Sequence, residues 1–149
     1  MSKVLVAVEG EEQAGAAARY LIDRARTSRD GFILIASVQP FVGSRRAAAS
    51  QADLIRQICE TAGPWLDDAG IRYEVRTRSG DLGDVVNEIT SRESYDEIVI
   101  IARAQDTFKA TLQRLLGLPP HNPVRRIAAR GGIPVTLVQA RPTPSIFHL

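Results

Sequence analysis

The sequence predicts an α/β fold, a parallel sheet doubly wound with helices on both faces, and three observations lead there. Five short runs rich in apolar and β-branched residues have the length of strands: Lys3 to Val8, Phe32 to Val38, Ile71 to Arg78, Glu97 to Ala102 and Pro134 to Val138. Segments with apolar residues at helical spacing fall between them, and strands alternating with helices build a parallel sheet through right-handed crossovers. At 149 residues and 44% hydrophobic, without a break in composition, the chain fits one domain with a sizeable core, followed by a tail from Arg141 to Leu149.

Taken in order, KVLVAV at Lys3 to Val8 is a nearly continuous apolar run, the pattern of a strand covered on both faces. Glu9-Gly10 turns the chain into a helix with its stripe at Ala14, Ala17, Ala18, Leu21, Ile22 and Ala25. Glu9, Glu11 and Glu12 are placed at its start, where negative charge suits the helix dipole and would repel a bound phosphate. FILIASV at Phe32 to Val38 reads as the second buried strand, ended by Gln39-Pro40, and Phe41 to Ser50 reads as a surface loop. Leu54, Ile58, Ala62, Trp65, Leu66 and Ala69 then predict a helix that Gly63-Pro64 should kink or divide. Trp65 is read as core, the alternative being an aromatic platform for a ligand.

Ile71 to Arg78 alternates Tyr73, Val75 and Thr77 against Arg72, Glu74, Arg76 and Arg78, which suits an edge strand with one wet face. Asp81 or Gly83 opens a helix carrying Val85, Val86 and Ile89, and Tyr95-Asp96 closes it before the fourth strand. Asp106 is placed to cap a helix bearing Phe108, Leu112, Leu115 and Leu116, stopped by Gly117 and Pro119. Asn122-Pro123 marks another helix start, with Val124, Ile127 and Ala128 inward and Gly131-Gly132 at its end. Pro134 is tolerable at the first position of the fifth strand.

Charge and motif content exclude several classes of function. Nineteen basic against 17 acidic residues leave a net charge of only +2, and neither Arg45-Arg46 nor Arg125-Arg126 is interleaved with aromatics, so a nucleic-acid partner is not expected. No serine sits in a Gly-x-Ser-x-Gly elbow, which removes the signature of nucleophilic hydrolysis. Cys59, the single cysteine, lies among Ile55, Ile58 and Ala62 as a structural thiol. His121 lacks a second ligand at metal-binding spacing, and no metal is expected. No apolar stretch approaches a membrane span and none reads as a signal peptide, which leads to an expectation of no membrane and a cytoplasmic location.

Five stretches, in this order, carry a resemblance to the universal stress protein family: VLVAVEG ending at Gly10, the strand ending Ser37-Val38-Gln39-Pro40, VRTRSGDLGDVVNEI from Val75 to Ile89, YDEIVIIAR from Tyr95 to Arg103, and VRRIAARGGIPVTLV from Val124 to Val138. The resemblance spans roughly residues 3 to 139 and implies an open, Rossmann-like sheet in the order 3-2-1-4-5. That order opens a crevice beyond the carboxyl ends of strands one and four. By the same resemblance, the crevice is lined by Val8, Glu9, Val38, Ala102, Arg103, His121 and Asn122.

The family's nucleotide-binding branch has an Asp after strand one, a Gly-x-x-Gly stretch after strand four and a Gly-Ser or Gly-Thr at the last helix start. Here the positions read Glu9, Ala102-Arg103-Ala104-Gln105, and either His121-Asn122 or Gly117-Leu118, depending on how an insertion of about six residues is placed. Side chains then occupy the place where phosphate needs bare backbone amides. Arg103 is offered as a partner for Glu9 across the crevice, with surface exposure as the alternative. The chain resembles family members without the glycine motif. The resemblance implies a non-enzymatic stress-response or regulatory homodimer, paired through Val135, Leu137 and Val138 of the last strand, with weak or no nucleotide binding and no cofactor. The rival expectation is an ATP-binding member with slow phosphoryl chemistry and non-standard contacts.

Overall fold

The centre of the sheet is β1 (Ser2–Glu9), a strand whose residues Val4 to Val8 are all at most 1% exposed. The computed structural model describes residues 2–10, 13–39, 45–102, 127–128 and 133–139. Around β1 lie α1 (Ala14–Thr27), β2 (Gly31–Gln39), α2 (Arg45–Asp68), β3 (Ile71–Ser79), α3 (Leu82–Arg92) and β4 (Glu97–Ala102), followed by β5 (Ile127–Ala128) and β6 (Pro134–Gln139). The sheet order is β3-β2-β1-β4-β6-β5, so its parallel strands follow the expected 3-2-1-4-5 order with β6 as the fifth.

Alternation along the strands divides the core into two layers. Val4, Val6, Val8, Ile33, Ile35, Val99 and Ile101 face α1 and α2, where Leu21, Leu54, Ile58, Ala62 and Leu66 pack on them. Leu5, Ala7, Leu34, Ala36, Ile98 and Ile100 face α3 and meet Leu82, Val85, Val86 and Ile89. Continuous apolar runs are thus required in the inner strands, because both of their faces are covered. The outer strand β3 has one neighbour, β2, and keeps the expected alternation, with Tyr73 and Val75 packed inward and Arg72 and Glu74 exposed.

Several local expectations are corrected. Helix α2 begins at Arg45, inside the stretch read as a loop, because Ala47, Ala48 and Ala49 are strong helix formers. The helix also runs through Pro64 undivided. Pro64 and Glu60, whose carbonyl loses its usual donor, both lie on the exposed side, where water can take that bond. A Cβ at Gly63 would stand 2.8 Å from the Tyr73 hydroxyl, so any larger residue there would push the end of that side chain aside. Trp65 is not core: it is 44% exposed, because Ala62 and Leu66 take the face of α2 that meets the sheet.

At the start of α1 the first turn holds no acidic residue, and Glu9 belongs to β1. Glu11 and Glu12 lie outside the described residues. Ile127 and Ala128, expected in a helix, instead pair antiparallel with Val135 and Pro134. The outer edge of β6 presents backbone donors and acceptors, and pairing there overrides a weak local helical preference. The helix expected over Asp106 to Leu116 lies outside the described residues, as does the tail from Arg141.

Candidate functional site

The point where the chain reverses its direction of growth across the sheet is β1, flanked by β2 on one side and β4 on the other. Open α/β sheets bind ligands beyond the carboxyl ends of such strands, because the crossover helices leave in opposite directions and open a crevice. Register fixes which residues reach it. Glu9 pairs with Val38, and Val8 pairs with both Ser37 and Ile101, so Glu9, Val38 and Ala102 finish three adjacent strands at nearly one level. Of the residues expected to line the crevice, Val8, Glu9, Val38 and Ala102 are therefore brought together. Arg103, His121 and Asn122 lie outside the described residues, and so does the Glu9–Arg103 pair.

Alternation then gives each wall its chemistry. Val8 is fully buried toward α1 and α2, whereas Val38 is 1% exposed and packs in the layer of α3, with Glu9 half-buried beside it on that face. Glu9 takes part in a polar contact of its own and is not a free carboxylate.

On the side of the sheet that faces α1 and α2 lie three buried polar side chains that were not among the expected crevice residues. Gln13, Ser37 and Gln39 are 4%, 1% and 8% exposed, yet Gln13 Oε1, Ser37 Oγ and Gln39 Nε2 find no partner among the described residues. Ser37 and Gln39 share one face of β2 at a spacing of two residues, toward α1 and α2. Gln13 stands at the start of α1 and makes no capping bond through its side chain; its amide donates to the Gly10 carbonyl at 3.3 Å. Gln51 of α2 donates from Nε2 to the Ser37 carbonyl at 3.0 Å, which fixes the neighbouring backbone and leaves the hydroxyl. Together the three supply one acceptor, one amide donor and one hydroxyl able to do either. The signal in the sequence was the pair of polar residues closing an otherwise apolar strand.

Other chemistry is sparse. Among the described residues no group of three His, Cys, Asp or Glu side chains is placed to hold a metal. Cys59 is half-buried, and burial pushes its thiol up, which favours the protonated form. No described helix is long and apolar enough to cross a membrane.

The model of the universal stress protein family matches residues 1–139. The chain belongs to the universal stress protein family. Its fold is similar to that of a universal stress protein family protein from Arabidopsis thaliana, solved with AMP bound, at a TM-score of 0.59 and 20% identity over 98% of this chain and 97% of that one. A family protein from Burkholderia pseudomallei is similar at a TM-score of 0.54 and 14% identity, covering 93% of this chain and 96% of that one. No curated protein matches the chain. At these identities the likeness to the solved structures shows the fold.

Proposed function

We propose that this universal stress protein is a non-enzymatic stress-response or regulatory domain of the cytoplasm that acts as a homodimer, with weak or no nucleotide binding. One observation carries the reading. The register brings the end of β4 level with Glu9, and the stretch that leaves it, Ala102-Arg103-Ala104-Gln105, contains no glycine. Polyphosphate bound beyond a strand end needs backbone amides that side chains do not screen. Pairing through the last strand is supported by the apolar residues Val135, Leu137 and Val138 that β6 carries; among the described residues β5 pairs with Pro134 and Val135 on its outer edge. Calorimetric titration with ATP and magnesium is expected to give no micromolar binding. Sedimentation velocity is expected to give a dimer, and a monomer at every concentration would end the homodimer proposal.

A second reading, nucleotide binding through non-standard contacts, is favoured by the buried polar atoms of Gln13, Ser37 and Gln39, and a relative of this fold was solved with AMP bound. Those side chains suit the edge of a planar, hydrogen-bonding ring better than a phosphate chain. The same titration repeated with AMP decides between the readings. Micromolar AMP binding that weakens in Ser37→Ala and Gln39→Ala establishes the second and removes the first.

A further inference from the structure

Away from the crevice, α1 and α2 lie side by side on the same face of the sheet, and between their outer surfaces runs an open groove of about 370 Å³. Its floor on the α1 side is small or apolar, formed by Ala14, Gly15, Ala18 and Ile22, and Gln57 and Thr61 form the α2 wall. Trp65 follows Thr61 by one helical turn and continues that wall, with the Arg26 guanidinium 4.8 Å from its ring centroid. This is the large hydrophobic side chain that the described surface leaves exposed.

Gly15 keeps the groove open without a demand from the fold. Its φ is ordinary, and a Cβ placed there would meet nothing within 4 Å. Gly15 is the second residue of α1, and no feature of the backbone there calls for a glycine.

Charge along the rim is ordered. Arg19, Asp23 and Arg26 line the groove, all three are exposed, and none forms an ion pair among the described residues. Their spacing of four and then three residues puts them in a row on one side of α1, reading positive, negative, positive. The two arginines are about 10 Å apart along the helix axis. A helix laid in the groove presents its own side chains at the same spacing, and a third helix packs between two others by setting its ridge into their groove.

We propose that this groove docks a helical segment of a protein partner whose exposed row reads acidic, basic, acidic at the first, fifth and eighth positions, with small or aliphatic residues beside it. The carboxylates meet Arg19 and Arg26, the central cation meets Asp23, and an aliphatic side chain enters over Gly15. Trp65 supplies an apolar stop at one end.

The test uses fluorescence anisotropy with two labelled, alanine-rich helical peptides, one carrying Glu-Lys-Glu and the other Lys-Glu-Lys at those positions. The Glu-Lys-Glu peptide is expected to bind saturably, more tightly than the other and less tightly as salt rises. The double variant Arg19→Glu, Arg26→Glu should weaken it about tenfold, as expected for loss and reversal of two charge contacts, and should gain affinity for the Lys-Glu-Lys peptide. Gly15→Leu should abolish binding while leaving the circular dichroism unchanged and the melting temperature no lower than that of the wild type, because the new side chain fills the open groove and meets nothing that its Cβ would clash with. The proposal is overturned by absence of saturable binding, by equal binding of the two peptides, or by wild-type affinity in Gly15→Leu. It is also overturned if Gly15→Leu converts a dimer to a monomer in sedimentation, since a second copy would then be the occupant.

Discussion

Glu97 accepts from Arg24 Nη1 at 2.9 Å through one carboxylate oxygen and from the Thr136 hydroxyl at 2.8 Å through the other. The first residue of β4 thereby joins α1 to β6, and Arg24 also donates to the Tyr20 hydroxyl at 3.1 Å. Both charged side chains are largely buried, at 18% and 24% exposed. Glu97→Ala strands the guanidinium and the hydroxyl, and should cost about 1–3 kcal/mol in urea denaturation with an unchanged slope. A loss within about 0.5 kcal/mol would show the pair to behave as an ordinary surface contact.

The acid limb of stability should report on Glu93. Its carboxylate accepts from the Tyr95 hydroxyl and lies 2.9 Å from Arg76 Nη2. The Tyr95 hydrogen bond and then Arg76 hold its carboxyl below the usual carboxylate value, so the contribution is present above that value and disappears as pH falls through the depressed one. Burial, then the hydrogen bond to Glu93, pushes the Tyr95 phenol well up; its contribution is present below the ordinary phenol range and is lost only as pH rises beyond it. With side chains 26% and 30% exposed, the Arg76–Glu93 pair is worth at most about 1 kcal/mol. Urea midpoints of Glu93→Gln measured across the acid range should be flatter than those of the wild type, and parallel curves would refute the assignment.

Helix α3 depends on one cap. Asp81 Oδ1 accepts from the amides of Gly83 at 2.9 Å and Asp84 at 3.2 Å. Asp81→Ala should lower stability by about 1 kcal/mol, and Asp81→Asn, which keeps an acceptor oxygen, should recover most of it. Thermal melts of the two variants separate capping from charge.

Gly70 ends the turn after α2 with φ at +73°, and a Cβ there would stand 2.8 Å from Asp30 Oδ1. Gly70→Ala should cost about 1–2 kcal/mol through the left-handed backbone alone. If Asp30→Gly is added and the loss remains, strain is the cause; if it disappears, the carboxylate contact is.

Truncating Trp65 tests its exposed placement. Removing a core aromatic costs about 3–5 kcal/mol, whereas Trp65→Ala should cost about 1 kcal/mol, since nearly half of the ring already meets water. Chemical denaturation of this variant distinguishes the two environments directly.

The sheet was legible because its inner strands are buried on both faces and so must be written as unbroken apolar runs: KVLVAV, FILIASV and EIVIIA could hardly be anything else. The stripe of α2 was legible for the same reason, but Trp65 was not. A large aromatic one step from Leu66 looks like core by type, and only the direction of the helix face shows that Ala62 and Leu66 fill the space. Ile127-Ala128 fits a helix locally and a strand in context, since what decides it is the edge of β6, ordered elsewhere in the sequence. Val8, Glu9, Val38 and Ala102 could be placed together at one end of the sheet because strand ends can be read. Gln13, Ser37 and Gln39 were missed, because whether a polar side chain is satisfied is a property of its neighbours in space.

The junction of β1 with β4 has a consequence for how the molecule assembles. β1, β2 and β3 are joined by single intervening helices, so that half of the sheet forms from contacts near in sequence. β4 must be recruited across a far longer loop: Lys3 and Asp96, which exchange hydrogen bonds at its foot, are 93 positions apart. Closing such a loop is the slower step, because chain entropy is lost before the contacts form. The line along which β4 joins the first half of the sheet is also the line above which the crevice opens, so the crevice exists only once these distant parts of the chain have met.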